Sequence, residues 1–147
     1  MKRMKKAVGY VCEVPVSGTD MVISKEDQRI RILKYAEKEN LELLSIYEDD
    51  CMTEDCLKRP GVNKVLTCNE AYDLVLVERV WAFGRKLREL EPVLSKLEAR
   101  KVPLVCTSHL WDMTSQQVRH RFGVDLAEQM HEAAKVRTEA KNGRRAA

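Results

Sequence analysis

The sequence predicts an α/β protein with a mostly parallel sheet flanked by helices, and three observations carry that expectation. Short β-branched runs alternate with longer stretches of helical periodicity. The helical stretches open on capping signals, and the alternation implies βαβ units. The apolar runs suit a sheet covered on both faces.

Each element can be justified in order. Ala7 to Val14 (AVGYVCEV) is β-branched and aromatic and ends at Pro15, which reads as a buried first strand. Ser24-Lys25-Glu26-Asp27 is a capping-box start, and Ile30, Leu33 and Ala36 then recur at helical spacing up to Asn40. Leu41 to Tyr47 is a second strand, followed by an acidic, polar loop from Glu48 to Lys58. Pro60 opens a short helix through Leu66. Leu74 to Val80 is a third strand, Leu87 to Arg100 a helix ending before Pro103, and Leu104 to Thr107 a fourth strand.

The end of the chain behaves differently. Thr114-Ser115-Gln116-Gln117 is another capping box, and Val118, Phe122, Leu126, Met130 and Ala134 recur every four residues. The pattern describes one amphipathic helix of ~27 residues, or ~40 Å. That length overshoots a globule of ~15 Å radius of gyration. Two readings stay open: the second half frays, or the stripe meets a partner subunit. The expected division is an α/β body over residues 1–113 and a long helix with a basic tail over 114–147.

Composition narrows the function classes. At 147 residues the chain has room for one ordinary domain, and 44% hydrophobic with 33% charged residues are globular proportions. No apolar run approaches the ~18 residues of a membrane-spanning helix, so no membrane partner is expected. The start, Met1 to Lys6, is basic, but Glu13 interrupts the apolar stretch behind it, and no secretory leader is expected. Five cysteines (12, 51, 56, 68, 106) include no C-x-x-C pair, which reads as reduced thiols in a cytoplasmic protein with no metal and no cofactor. His109, His120 and His131 form no triad or metal spacing with nearby acids. The net charge of +3 is an average. Lys2, Arg3, Lys5 and Lys6 sit at one end, and Lys135, Arg137, Lys141, Arg144 and Arg145 sit at the other with Glu139 as their one acid. The stretch between is net acidic.

Several segments, taken in order, resemble one family. They are Gly9-Tyr10-Val11, then Ser24 to Gln28 with its helix, then Tyr47-Glu48-Asp49-Asp50, then Arg59-Pro60-Gly61-Val62, then the strand before Phe83-Gly84-Arg85. The set resembles the catalytic domain of serine recombinases, the resolvases and invertases, from about Ala7 to Gly143. The resemblance implies a helix-flanked mixed sheet and a long C-terminal helix that mediates dimerisation and lies along the DNA minor groove. It also implies a Ser at the end of the first strand that attacks a DNA phosphodiester, with arginines binding the phosphate oxygens. An arginine's planar fork suits a phosphate better than a lysine's point charge.

This sequence departs from the family's pattern where the chemistry lies. In the family's Tyr-x-Arg-x-Ser, anchored on Tyr10, Cys12 stands at the Arg and Val14 at the Ser. Where the family has Leu-Asp-Arg-Leu-Gly-Arg, this chain has Val80-Trp81-Ala82-Phe83-Gly84-Arg85, so Trp81 replaces the acid and Ala82 the first arginine. Arg59 and Arg85 keep the family's residue. A valine has no nucleophilic atom, and each missing phosphate clamp removes about 3 kcal/mol from the transition state. The expectation is a pseudo-enzyme. Two escapes remain open: Ser17, if the loop is re-routed, and the Cys12 thiol. Trp81 and Phe83 are expected to be partly buried. What is left is a dimer interface (Val118, Phe122, Leu126, Met130, Ala134) and a basic end (Lys135, Arg137, Lys141, Arg144, Arg145). That end either holds DNA phosphates weakly without reading sequence or is a solvated tail. Expected partners are DNA and a second copy, in a homodimer or higher homo-oligomer, or an active recombinase in a hetero-oligomer. The alternatives are a divergent recombinase with a displaced nucleophile and an interaction module that no longer binds DNA.

Overall fold

The computed structural model describes residues 4–16, 18–50, 55–108 and 113–122. In chain order the elements are β1 (Lys6–Cys12), β2 (Val14–Pro15), β3 (Val22–Ile23), α1 (Lys25–Lys38), β4 (Glu42–Asp49), α2 (Pro60–Leu66), β5 (Leu74–Val77), α3 (Leu87–Ala99), β6 (Leu104–Cys106) and α4 (Met113–Arg121). Two 3₁₀ turns, Cys56–Lys58 and Val80–Ala82, precede α2 and α3. The main sheet has the order β4-β1-β5-β6, and each of its pairings is parallel. The α/β expectation is met.

The sheet is buried on both faces because β1 and β5 alternate two apolar sets. Ala7, Val11, Leu74 and Leu76 face α1, where they meet Ile32 and Ala36. Val8, Tyr10, Cys12, Val75 and Val77 face the other way, into a larger cluster with Val62 and Val65 of α2, Leu90, Val93, Leu94 and Leu97 of α3, and Val118 of α4. Burying each such side chain contributes about 1.5–3 kcal/mol. Gly9 lets α1 approach: a Cβ there would lie 3.1 Å from Ile46 Cγ1 and 3.3 Å from Ile32 Cγ2. In β4 the register slips between the partners of Ala7 and Val8. A bulge shifts the parity of a strand, and accordingly Leu43 and Ile46 face α1 while Leu44 and Tyr47 face the larger cluster.

The starts of α1 and α2 follow the sequence signals, whereas α4 already includes Met113, and Thr114, expected as its cap, donates its hydroxyl to the Arg85 carbonyl at 3.1 Å. Ser24 Oγ accepts from the Asp27 N–H at 3.1 Å, capping α1. Pro60 opens α2, and α3 ends one residue before the expected Arg100. All four expected strands differ at a boundary, the second running Glu42–Asp49 rather than Leu41 to Tyr47. The first strand stops at Cys12, and Val14–Pro15 instead pairs antiparallel with Val22–Ile23. The third stops at Val77, because the chain then turns so that Val80 and Ala82 drop into the core. The fourth ends at Cys106 rather than Thr107. No described helix is long and apolar enough to cross a membrane.

Candidate functional site

The positions that the sequence singled out converge at the carboxyl ends of β1 and β5, the edge where parallel sheets place their ligand sites. Gln28, fully buried on α1, fastens the end of β1. Its Nε2 donates to the carbonyls of Cys12 (2.7 Å) and Ile23 (3.0 Å), and its Oε1 accepts the Cys12 N–H (3.3 Å). One side chain thus ties β1 to the β2–β3 ribbon, and that bond set holds Val14 in place. Val14 is 0% exposed and belongs to the core. Cys12 is equally buried.

Asp49, at the end of β4, organises the next layer. Its carboxylate accepts the N–H groups of Gly61 (2.8 Å) and Val62 (3.2 Å) at the start of α2, and the Tyr10 hydroxyl at 2.7 Å. An acid at a helix N-terminus is favourable on both hydrogen-bond and dipole grounds. Gly61 is required by the close approach, since a Cβ there would lie 2.5 Å from the Glu48 carbonyl oxygen. Burial pushes the Tyr10 hydroxyl far above the ordinary phenol range, so it is a neutral donor to Asp49.

Arg59 immediately precedes α2 and is 2% exposed. Its Nη1 donates to the Ala82 carbonyl at 2.7 Å and to the Tyr10 oxygen at 3.4 Å, and its Nη2 donates to the Phe83 carbonyl at 2.9 Å. The guanidinium fork is therefore occupied by the main chain of the 80–83 turn. Phe83, fully buried, stacks on Tyr10 with ring centroids 4.6 Å apart and planes at 14°. Cys56 closes the same floor, its thiol donating to the Phe83 carbonyl at 2.6 Å. Phe83, expected to be partly buried, is instead wholly enclosed; Trp81 is half-buried as expected.

The rim is more open. The guanidinium carbons of Arg79 and Arg85 lie 5.4 and 4.8 Å from the Trp81 ring centroid. Arg85 also donates to the Pro15 carbonyl, which pins the β2 ribbon to the turn. Arg79 forks onto Glu78, with Nη2 2.6 Å from Oε1. Glu78 is fully buried and accepts the Ser108 hydroxyl at 2.8 Å, and Arg119 of α4 donates to the Ser108 carbonyl at 2.9 Å.

The structure thus brings Cys12, Val14, Arg59, Ala82 and Arg85 together, with Trp81 at their edge. Ser17 lies outside the described residues, as do Leu126, Met130, Ala134 and the basic residues from Lys135 to Arg145. Val118, expected at a dimer interface, is 0% exposed in the chain's own core, because α4 packs its apolar face against the sheet. It has no surface left for a partner. Phe122 is half-buried against the same cluster. Sequence reasoning missed Gln28 as a clamp, Asp49 as a cap and Glu78 as a buried acid. A single Glu inside the apolar run Leu74 to Val80, followed directly by Arg79, was the available signal for the last. No group of metal-binding side chains occurs among the described residues.

Known proteins share this architecture. The N-terminal catalytic domain of TP901-1 integrase superposes with a TM-score of 0.60 at 23% identity, over 87% of this chain and 99% of that one. The C-terminal catalytic domain of ISC1926 TnpA, an IS607-like serine recombinase, gives 0.58 at 14% identity, over 92% and 99%. A resolvase family site-specific recombinase from Streptococcus pneumoniae gives 0.55 at 18%, over 97% and 98%. No curated protein matches the chain. The family model "Resolvase, N terminal domain" matches residues 14–147, a span that starts at Val14 and leaves all of β1 before it. With most of its length matched, and with the sheet of serine-recombinase catalytic domains, the chain belongs to the resolvase family.

Proposed function

We propose that this resolvase-family chain is a catalytically inactive serine-recombinase domain. In this reading it serves as a dimerising, DNA-associated structural or regulatory partner in site-specific recombination or a related cytoplasmic process. The observation that carries the proposal is the closed floor: Val14 is fully buried, and the Arg59 fork is engaged by the carbonyls of Ala82 and Phe83. A phosphoryl-transfer site needs a nucleophile that reaches solvent and donors aimed at the non-bridging oxygens. Here the valine supplies no nucleophile, the Cys12 thiol is enclosed, and Arg85 faces Trp81 and the Pro15 carbonyl.

Residues 1–113 form the α/β body in this proposal, and residues 114–147 form an arm rooted in it by Val118 and Arg119. The arm's stripe beyond Phe122 (Leu126, Met130, Ala134) associates with a second copy or with an active recombinase. Lys135, Arg137, Lys141, Arg144 and Arg145 hold DNA phosphates without reading bases.

The test is a denaturing-gel assay for a covalent protein–DNA adduct, using nicked duplexes pooled over random sequence. The proposal expects no adduct with the wild-type chain. An adduct abolished by Ser17→Ala would instead establish a working, displaced nucleophile. In parallel, binding to labelled duplex should be measurable at low salt and lost on truncation after Ala134. No binding at tens of micromolar would favour an interaction module that has left DNA.

A further inference from the structure

The middle and the end of α4 are fastened in different ways. Val118 is fully buried, and Arg119, nearly so, donates to the Ser108 carbonyl. One turn beyond Val118, Arg121 reaches across to α3, where Glu91 and Glu98 lie two turns apart on one face. All three guanidinium nitrogens are engaged there. Nη1 and Nη2 take the two oxygens of Glu91, the second at 2.8 Å, and Nε takes Glu98 Oε1. Ser95, one turn along from Glu91, donates to Glu91 Oε1 at 3.0 Å and lies 3.5 Å from Nη2. The Arg121 hydrogen bonds, with help from Ser95, hold the Glu91 carboxyl down at about 2.

These contacts are open to solvent, with the side chains of Arg121, Glu91 and Glu98 at 25%, 49% and 42% exposure. Bidentate arginine–carboxylate pairing is the strongest form of such a contact, yet at this exposure salt screens it. Directly after it come Phe122, half-buried, and residues 123–147.

We propose that Arg121, Glu91 and Glu98 form a charge-based clasp that shuts the last turn of α4 onto α3 and opens separately from the core. With the clasp shut, the last turn of α4 is held to α3 through Glu91 and Glu98. With it open, the last turn of α4 is freed while Val118 stays buried. The proposal rests on the fold alone and is independent of the DNA reading.

Hydrogen–deuterium exchange of the full chain tests it. Arg121→Gln, and separately the pair Glu91→Gln with Glu98→Gln, should each raise amide exchange at residues 119–122 by roughly fivefold while β1 and β5 keep their rates. Wild-type protein in 1 M NaCl should approach the variant rates, because the Debye length there is ~3 Å. Arg121→Glu combined with Glu91→Arg and Glu98→Arg should restore slow exchange at low salt. Unchanged exchange at 119–122 in both variants, or indifference to salt, would overturn the clasp. Acceleration that spreads to β1 and β5 would also overturn it, since Arg121 would then support the whole fold. A charge swap that fails to restore slow exchange would refute the pairing itself.

Discussion

Arg59 is buried and Arg121 half-buried at the surface, and their partners differ accordingly. Arg59 is enclosed and donates to two main-chain carbonyls and a tyrosine oxygen, so that it braces the turn carrying Ala82 and Phe83. Arg121 lies at the surface and faces two carboxylates of a neighbouring helix. Removing a donor from a buried site leaves acceptors without water, whereas an exposed pair can be replaced by solvent. The contrast teaches that an arginine's surroundings decide what its fork holds. Arg59, which the family resemblance would set against a phosphate, points its fork inward, into the protein's own backbone.

The largest expected effect comes from Gly61, which lets the start of α2 meet the end of β4. Gly61→Ala places a Cβ 2.5 Å from the Glu48 carbonyl oxygen and 2.7 Å from Asp49 Oδ2, and these are a backbone atom and a capping group that cannot easily move. Urea unfolding should show a loss of about 3 kcal/mol or more. Next, Arg59→Met should destabilise the chain by about 3 kcal/mol, because the Ala82 and Phe83 carbonyls are left buried and short of a donor. Arg59→Lys should recover only part of that, since an ammonium cannot fork. If Arg59→Met proved as stable as wild type, the bracing role would be lost and the comparison with it.

Arg121→Gln should be far milder, with the thermal midpoint shifting by less than about 2 °C. Acid sharpens the same contrast. The Glu91 carboxyl is depressed below its unfolded value of about 4.5, so its contribution is present above that pH and fades as pH falls toward about 2. Glu98 and Arg121 are the charged groups facing it. Carbon-13 NMR titration of the Glu91 carboxyl should therefore give a midpoint near 2 in wild type and one near the ordinary range in Arg121→Gln.

Much of the fold was legible because its signals are local. Ser24 as a cap, Pro60 at a helix start and the β-branched runs of β1 and β5 each act through nearest neighbours. The β2–β3 ribbon was not legible, because two-residue strands have no periodicity and depend on Gln28 bonding from another element. The strand order and the bulge in β4 are likewise set by long-range packing. At the candidate site, Cys12, Val14, Trp81 and Ala82 could be singled out by spacing alone. Their surroundings could not: that Phe83 stacks on Tyr10, and that Arg59 turns its fork to the 80–83 turn, follow from long-range packing. The burial of Val118 in the chain's own core was not legible for a related reason. An apolar stripe reports burial but not whether the covering surface belongs to the same chain.

The central claim is that the phosphate-facing positions of this fold have become core. Cys12, which the family resemblance would put at an arginine, carries its own reporter. Native full-length protein can be pulse-labelled with N-ethylmaleimide and read peptide by peptide by mass spectrometry, with half-buried Cys68 as the internal reference. The account predicts that Cys12 is labelled at least about 100-fold more slowly than Cys68, at a rate set by unfolding. Labelling of Cys12 as fast as Cys68 in the folded protein would contradict it, because the floor of the site would then be open.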